Sequence, residues 1–402
     1  MLLSAPPRTG GPDSMQLGIY IHFPYCLSKC PYCDFASRAE AVIPQERYTE
    51  AVLRELRARA PQFTEPRREV VSIYFGGGTP SLWDPPQVGR VVTACRELFD
   101  VKKGAEVTLE ANPGTTDEGR FTAFRALGVN RLSIGVQSFA DSQLLVLGRK
   151  HSGSEAERAF RTARAAGFEN VSLDLIHGGS GHTVEAAARD AASAVALGPE
   201  HVSAYALTLT GLAEDVPMAK AVRRGEIELP PDDEQAAMGE AVRNELARGG
   251  YARYEISNFA RKGFEAVHNT LYWRGIEYVA AGCGACGFVR APGEGAFARR
   301  YMNDRSPERY LSRVEETGIG EASSEEVDRD QHLRERLFTG LRLAEGLDLA
   351  ALEQDLGVEI RGRFAKVIDR LVREELAGLE GTRLRLTERG LDLHSEVAVR
   401  FF

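Results

Sequence analysis

The sequence predicts an α/β chain: a partial parallel (β/α)6 barrel followed by a small, mostly helical, winged-helix-like C-terminal domain. Three observations lead there. Six short apolar runs alternate with helical patterns between Leu17 and Leu207, and strands alternating with helices at this spacing form parallel βα units. The residues with chemical potential fall at or just after the ends of those runs, where parallel barrels place their chemistry. From Asp328 onward the pattern changes to short helices and a hairpin through Gly381.

In order, Leu17 to His22 reads as the first buried strand and a cysteine-bearing loop follows it. Gln45 to Ala60 has helical spacing, with Tyr48, Val52, Leu53 and Leu56 on one side. Val70 to Phe75 is the second strand and runs into Gly76-Gly77-Gly78-Thr79-Pro80-Ser81; Pro86 to Leu98 is helical. Glu106 to Glu110 is the third strand, and Asp117 caps a helix reaching Leu127. Arg131 to Gly135 is the fourth strand, and Ser154 to Ala166 is a helix stopped by Gly167. Val171 to Leu175, a helix over Thr183 to Ala196, and His201 to Leu207 complete six units; Asp232 to Arg248 is a further helix. Helices near Ala350 to Leu356 and Arg363 to Glu374 precede the late hairpin.

The chain has 402 residues, room for one large catalytic domain and a smaller one. The expected divisions are a tail at 1–14, the barrel at 15–250, a connecting region at 251–325 and the C-terminal domain at 326–402. A net charge of -8 does not suit a nucleic-acid binder, which needs a basic patch. No run of about 18 apolar residues marks a membrane span. Met1 to Ser14 is rich in Pro and Gly and lacks the apolar core of a signal peptide; it is expected to be a floppy tail, with Met15 a candidate start. Six cysteines, three of them clustered, fit a reducing cytosol.

The clustered three are Cys26, Cys30 and Cys33, at spacing Cys-x3-Cys-x2-Cys. Three thiolates on one short loop can hold three corners of a 4Fe-4S cube and leave the fourth iron for a substrate. A closed zinc site would call for a fourth ligand nearby, and a disulfide framework for more cysteines. The glycine triplet is not followed by Lys-Ser/Thr, so it is not a nucleotide P-loop. It is either a tight turn or a place where backbone comes close to a small ligand. Cys283 and Cys286 flank a glycine turn and read as small packing residues, and Cys95 reads as helix core.

The run Tyr-x-His-x-Pro-x-Cys-x3-Cys-x2-Cys resembles the radical S-adenosylmethionine superfamily, and within it the group of oxygen-independent coproporphyrinogen III oxidase and the HemW heme chaperones. The resemblance implies a 4Fe-4S cluster on three cysteines with an exchangeable S-adenosylmethionine. It implies that Gly77, Gly78 and Thr79 meet the methionine part of that cofactor, that Tyr20 and Tyr32 line its pocket, and that Glu110, Gln137, Arg149 and Asp174 contact it. Arg149 suits the carboxylate; Glu110, Gln137 and Asp174 suit ammonium or ribose hydroxyls. His268-Asn269-x2-Tyr272-Trp273 is similar to a run shared by the HemW branch, which makes His268 a candidate heme ligand.

Two features set the chain apart from the decarboxylating oxidase. Phe35 stands where that enzyme has a fourth cysteine, and only 19 residues precede Tyr20, against a longer leading segment there. Both favour the heme chaperone, with the oxidase, which decarboxylates propionate side chains in porphyrin biosynthesis, as the alternative. The implied partners are heme or a porphyrinogen, an electron donor, a heme-accepting respiratory protein at the membrane and a second copy of the chain. The implied location is cytoplasmic, with peripheral association at the inner membrane left open. Gly178-Gly179-Ser180-Gly181-His182, Thr210-Gly-Leu-Ala-Glu and Cys286 depart from the relatives' pattern and leave the final ligand open. The C-terminal domain is expected to act as a packing lid over the barrel mouth, since Glu374, Glu375, Glu380 and Glu388 dilute any basic DNA-binding face.

Overall fold

The computed structural model describes residues 16–63, 67–115, 117–211, 215–290 and 297–402. The expectations for the tail and for Met15 lie outside these residues, as does part of the stretch after Thr210.

Six parallel strands form in the expected order: β1 (Gln16–Phe23), β2 (Glu69–Gly77), β3 (Asp100–Ala111), β4 (Arg131–Gln137), β5 (Val171–His177) and β6 (His201–Ala206). Each pairs in parallel with the next. Period-two alternation sorts their side chains. In β1, Leu17, Ile19, Ile21 and Phe23 are fully buried in the main core, while Tyr20 lies on the other face and stacks on Tyr74. Helices α1 (Gln45–Arg59), α2 (Pro85–Leu98), α3 (Glu118–Ala126), α4 (Asp141–Val146), α5 (Gly153–Ala165) and α6 (Val184–Leu197) make the connections. Local chemistry sets their ends. Asp117 accepts from Arg120 N, and Ser152 with Glu155 forms a capping box. Helices α7 (Pro217–Arg223) and α8 (Asp232–Arg248) follow; Met238, Val242 and Leu246 of α8 join the core.

The sheet does not end with six strands. Strands β7 (Ala252–Arg253) and β8 (Asn258–Ala260) continue it antiparallel beyond β6. After α9 (Val267–Trp273), β9 (Tyr278–Ala281) adds in parallel to β1, and β10 (Cys286–Arg290), β11 (Ala298–Asn303) and β12 (Glu321–Val327) extend that side as a meander. The order is β12-β11-β10-β9-β1-β2-β3-β4-β5-β6-β8-β7, an open barrel. Edge strand β12 carries Glu321 and Glu325, which pair with Arg299 and Arg300 of β11; charges of this kind blunt an exposed edge.

Helix α10 (Pro307–Thr317) packs on α1, and α11 (Arg329–Gly340) leads into the C-terminal unit. That unit has its own core of Leu333, Leu337, Leu352, Leu371 and Leu384, among others. It comprises α12 (Leu349–Leu356), α13 (Ala365–Arg373) and a small sheet of β13 (Leu347–Asp348), β14 (Ala377–Glu380) and β15 (Arg383–Leu386). Its placement corrects the expectation of a lid over the mouth. Leu343, Ala344 and Glu345 share a cleft of about 800 Å3 with Gln16, Lys102, Asn130 and Asn170, residues at or just before strand starts. The unit therefore closes the opposite, N-terminal end of the barrel. Long-range pairs fix it there: Arg290 with Asp355, and Arg336 donating to the Trp273 carbonyl.

Candidate functional site

The C-terminal ends of the strands surround a cavity of about 310 Å3. Cys26, Cys30, Cys33, Tyr32, Gly77, Gly78, Thr79, Glu110, Gln137, Arg149 and Asp174 all line it. Two residues singled out from the sequence do not. Tyr20 lines a neighbouring groove with His22, Phe35 and Cys286, its ring stacked on Tyr74 at 6.1 Å. His268 is packed underneath.

The cysteine loop and the glycine loop are stitched together by backbone. Gly78 N donates to Phe23 O at 2.7 Å and Thr79 N to Tyr25 O at 2.9 Å. Thr79 Oγ1 donates to Cys26 Sγ at 3.4 Å. Gly78 has to be glycine: a Cβ there would lie 2.8 Å from Tyr25 O and 3.0 Å from Cys26 Sγ. Gly77 has φ +116°, and its N–H donates to Glu110 at 3.1 Å. All three loop cysteines are free thiols. Arg149 Nη1 reaches Cys30 Sγ at 3.6 Å, so a cation faces the thiol set. Three free thiols beside a cation and a close glycine backbone fit a cluster held at three corners.

The cavity walls mix polar and apolar side chains. Glu110 is half-buried, accepts from Tyr74 at 2.7 Å, and has its carboxyl pushed up to about 7, by desolvation first. Asp174 accepts from Ser133 at 3.0 and 3.1 Å; burial raises its carboxyl and the hydroxyls oppose the rise. Gln137 has φ +67°, a strained value for a side-chain-bearing residue. Asp190 of α6 holds the turn beyond it, accepting from Ser138 Oγ at 2.6 Å and Phe139 N at 2.8 Å. Arg149 also donates to Gly135 O at 2.8 Å.

His268 is 1% exposed. Its Nδ1 lies 2.7 Å from Ser72 Oγ and its Nε2 2.8 Å from Tyr272 OH, and its ring stacks on Tyr74. Burial pushes its pKa down to about 3. Both nitrogens are engaged, so ligation of iron by His268 requires α9 to move. Its neighbour Asn269 does reach the cavity. Cys283 and Cys95 are buried within the main core, whereas Cys286 opens onto the groove beside Tyr20.

Sequence reasoning missed Arg131, Ser133, His201, Ser203, Tyr205 and Asn269, which also line the cavity. A signal was there. In Arg131-Leu-Ser133-Ile-Gly135-Val-Gln137 every second residue is polar or glycine, the alternation of a strand whose other face looks into a polar lumen.

The open parallel barrel with three thiols on the loop after its first strand defines a radical S-adenosylmethionine protein. The family model "Radical SAM superfamily" matches residues 20–193, and "HemN C-terminal domain" matches 327–393. Among curated proteins, the heme chaperone HemW of Mycobacterium tuberculosis is 36% identical over 387 residues, 96% of this chain and 93% of that one. HemW of Escherichia coli is 39% identical over 277 residues, 69% and 71% of the two chains. Among solved structures, coproporphyrinogen III oxidase (HemN) of Escherichia coli shares the fold, with TM-score 0.78 at 22% identity over 97% of this chain and 90% of that one. The chain belongs to the HemW branch of the anaerobic coproporphyrinogen III oxidase family. The family implies a 4Fe-4S cluster and S-adenosylmethionine.

Proposed function

We propose that this chain is a heme chaperone of the HemW type, which binds a 4Fe-4S cluster, S-adenosylmethionine and heme and passes heme to respiratory proteins at the membrane. The observation that carries the reading is similarity to heme chaperones along almost the whole chain, at 36% identity over 387 residues. Phe35 supports it locally: it is 65% exposed two residues after Cys33, so no fourth thiol follows the cluster loop. Among the described residues no helix is long and apolar enough to cross a membrane, so delivery would proceed by docking.

When bound, a cluster with one open iron supplies one-electron reduction of a sulfonium. The residues present would hold such a group as follows. Cys26, Cys30 and Cys33 are its ligands. Backbone at Gly77 to Thr79 approaches the methionine part of S-adenosylmethionine, Glu110 accepts from its ammonium, and Arg149 takes its carboxylate. Asp174 and Gln137 accept from ribose hydroxyls, and Tyr32 closes a wall.

The test is a heme titration of anaerobically reconstituted protein, followed by the Soret band. Saturable one-to-one binding supports the chaperone. No binding sinks it, and release of CO2 from coproporphyrinogen III with S-adenosylmethionine would instead establish the oxidase.

A further inference from the structure

A buried cation sits on the floor of the cavity, below the residues assigned to S-adenosylmethionine. Arg131 opens β4 and is 2% exposed. Register pairs it with Thr108, two residues below the Glu110–Ser133 level, and it faces the same lumen. Its one ion pair among the described residues is with Glu106, at a long 3.9 Å, and its Nε has no hydrogen-bond partner. Glu106 is already committed to α9, accepting from Val267 N at 3.1 Å and His268 N at 3.2 Å. A charge buried this deeply with so little direct pairing is costly, and an apolar side chain would fill the same space more cheaply.

The surroundings explain it. Glu110 of β3 and Asp174 of β5 line the same cavity as Arg131, whose charge acts to lower both carboxyls. Tyr74 of β2 and Tyr254, ahead of α9, face it as neutral phenols. The histidines that face it, His201 of β6 and His268 of α9, are held neutral by burial. Among the described residues beside Glu106, Arg131 is the lasting positive charge, while Arg149 stands at the cysteine end of the cavity.

We propose that Arg131 is a positioning residue for S-adenosylmethionine: its guanidinium is the counter-charge of Glu110 and Asp174 and keeps them fit to receive a cationic ligand. This rests on the reading that those two carboxylates contact S-adenosylmethionine. Arg131 acts through those carboxylates, which hold their protons to higher pH once it is removed. Lysine keeps the charge and loses only the fork, so it should restore function; glutamine should not.

The experiment is calorimetric titration of S-adenosylmethionine into cluster-loaded protein between about pH 6 and about pH 9. In wild type, affinity rises with pH and levels off as Glu110 ionises. In Arg131→Gln the rise should move up by about one unit or more, with a roughly tenfold loss at pH 7 that recovers at high pH. In Arg131→Lys the midpoint should stay at the wild-type value. Equal loss at every pH in Arg131→Gln, or no loss, overturns the proposal. If the glutamine variant does not load its cluster, a shifted midpoint in Arg131→Lys overturns it equally, and an unshifted midpoint supports it. Wild type that binds no S-adenosylmethionine at any pH instead removes the cofactor reading itself.

Discussion

Tyr74 donates its hydroxyl hydrogen to Glu110 across adjacent strands, 2.7 Å from oxygen to oxygen, on the half-buried wall of the cavity. The bond favours the carboxylate, yet burial wins, and the group titrates at about 7 against an ordinary 4.5. The folded value is the raised one. The ligand-free protein therefore holds a neutral carboxyl whose contribution is complete below about pH 4.5 and is lost as pH rises through about 7, a change of about 3 kcal/mol. Glu110→Gln cannot ionise. It should match wild type in thermal unfolding at acid pH, exceed it at pH 8, and lose at least tenfold in S-adenosylmethionine affinity. Equal melting temperatures at both pH values would contradict the assignment.

Substituting any of Cys26, Cys30 or Cys33 by serine should leave reconstituted protein without cluster iron and sulfide. Cys286→Ser should load normally, because its thiol opens onto the separate groove beside Tyr20. Cys283→Ser should load too, while losing about 1–3 kcal/mol by burying a hydroxyl in the core. Elemental analysis and thermal unfolding separate the three outcomes.

Gly78→Ala places a methyl against two backbone groups that cannot rotate away, the Tyr25 carbonyl oxygen and the Pro24 carbonyl carbon, and against the Cys26 sulfur. The cysteine loop has to move. The expected result is a loss of about 1–3 kcal/mol in stability and weaker S-adenosylmethionine binding, read by unfolding and calorimetry. An alanine variant indistinguishable from wild type would mean the two loops are not in contact as described.

His268→Ala removes hydrogen bonds to Ser72 and Tyr272 and leaves a hole beneath Tyr74. A loss of about 2–4 kcal/mol follows from those contacts. Heme affinity, measured at a temperature where the variant is folded, should be kept. Abolished affinity in a well-folded variant would mean that α9 opens to present the imidazole.

Much of the barrel and its site is legible in the amino-acid sequence. The six βα units follow from apolar runs broken by glycine, and the cysteine and glycine loops from their position after β1 and β2. The features that are not legible are set by partners distant in the chain. Tyr278 to Ala281 looks like the approach to a glycine turn, and becomes a strand because β1 offers it an edge. The C-terminal unit lies at the bottom of the barrel because Asp355 finds Arg290 and Arg336 finds the Trp273 carbonyl, pairings that no local pattern announces. Arg131 reads as an ordinary strand-end charge until Glu106, Glu110 and Asp174 are seen around it. His268 draws notice through a run similar to one shared by the HemW branch, and only its two hydrogen bonds show how it is held.

Handing on heme is the central claim, and transfer tests it most directly. Reconstituted protein, loaded with heme and freed of excess, would be mixed with an apo-form of a heme-accepting respiratory protein, and the acceptor's spectrum and activity followed in time. Heme should leave the chain and arrive in the acceptor in stoichiometric amount. Heme that stays on the chain, with coproporphyrinogen III decarboxylated in a parallel assay, would contradict it.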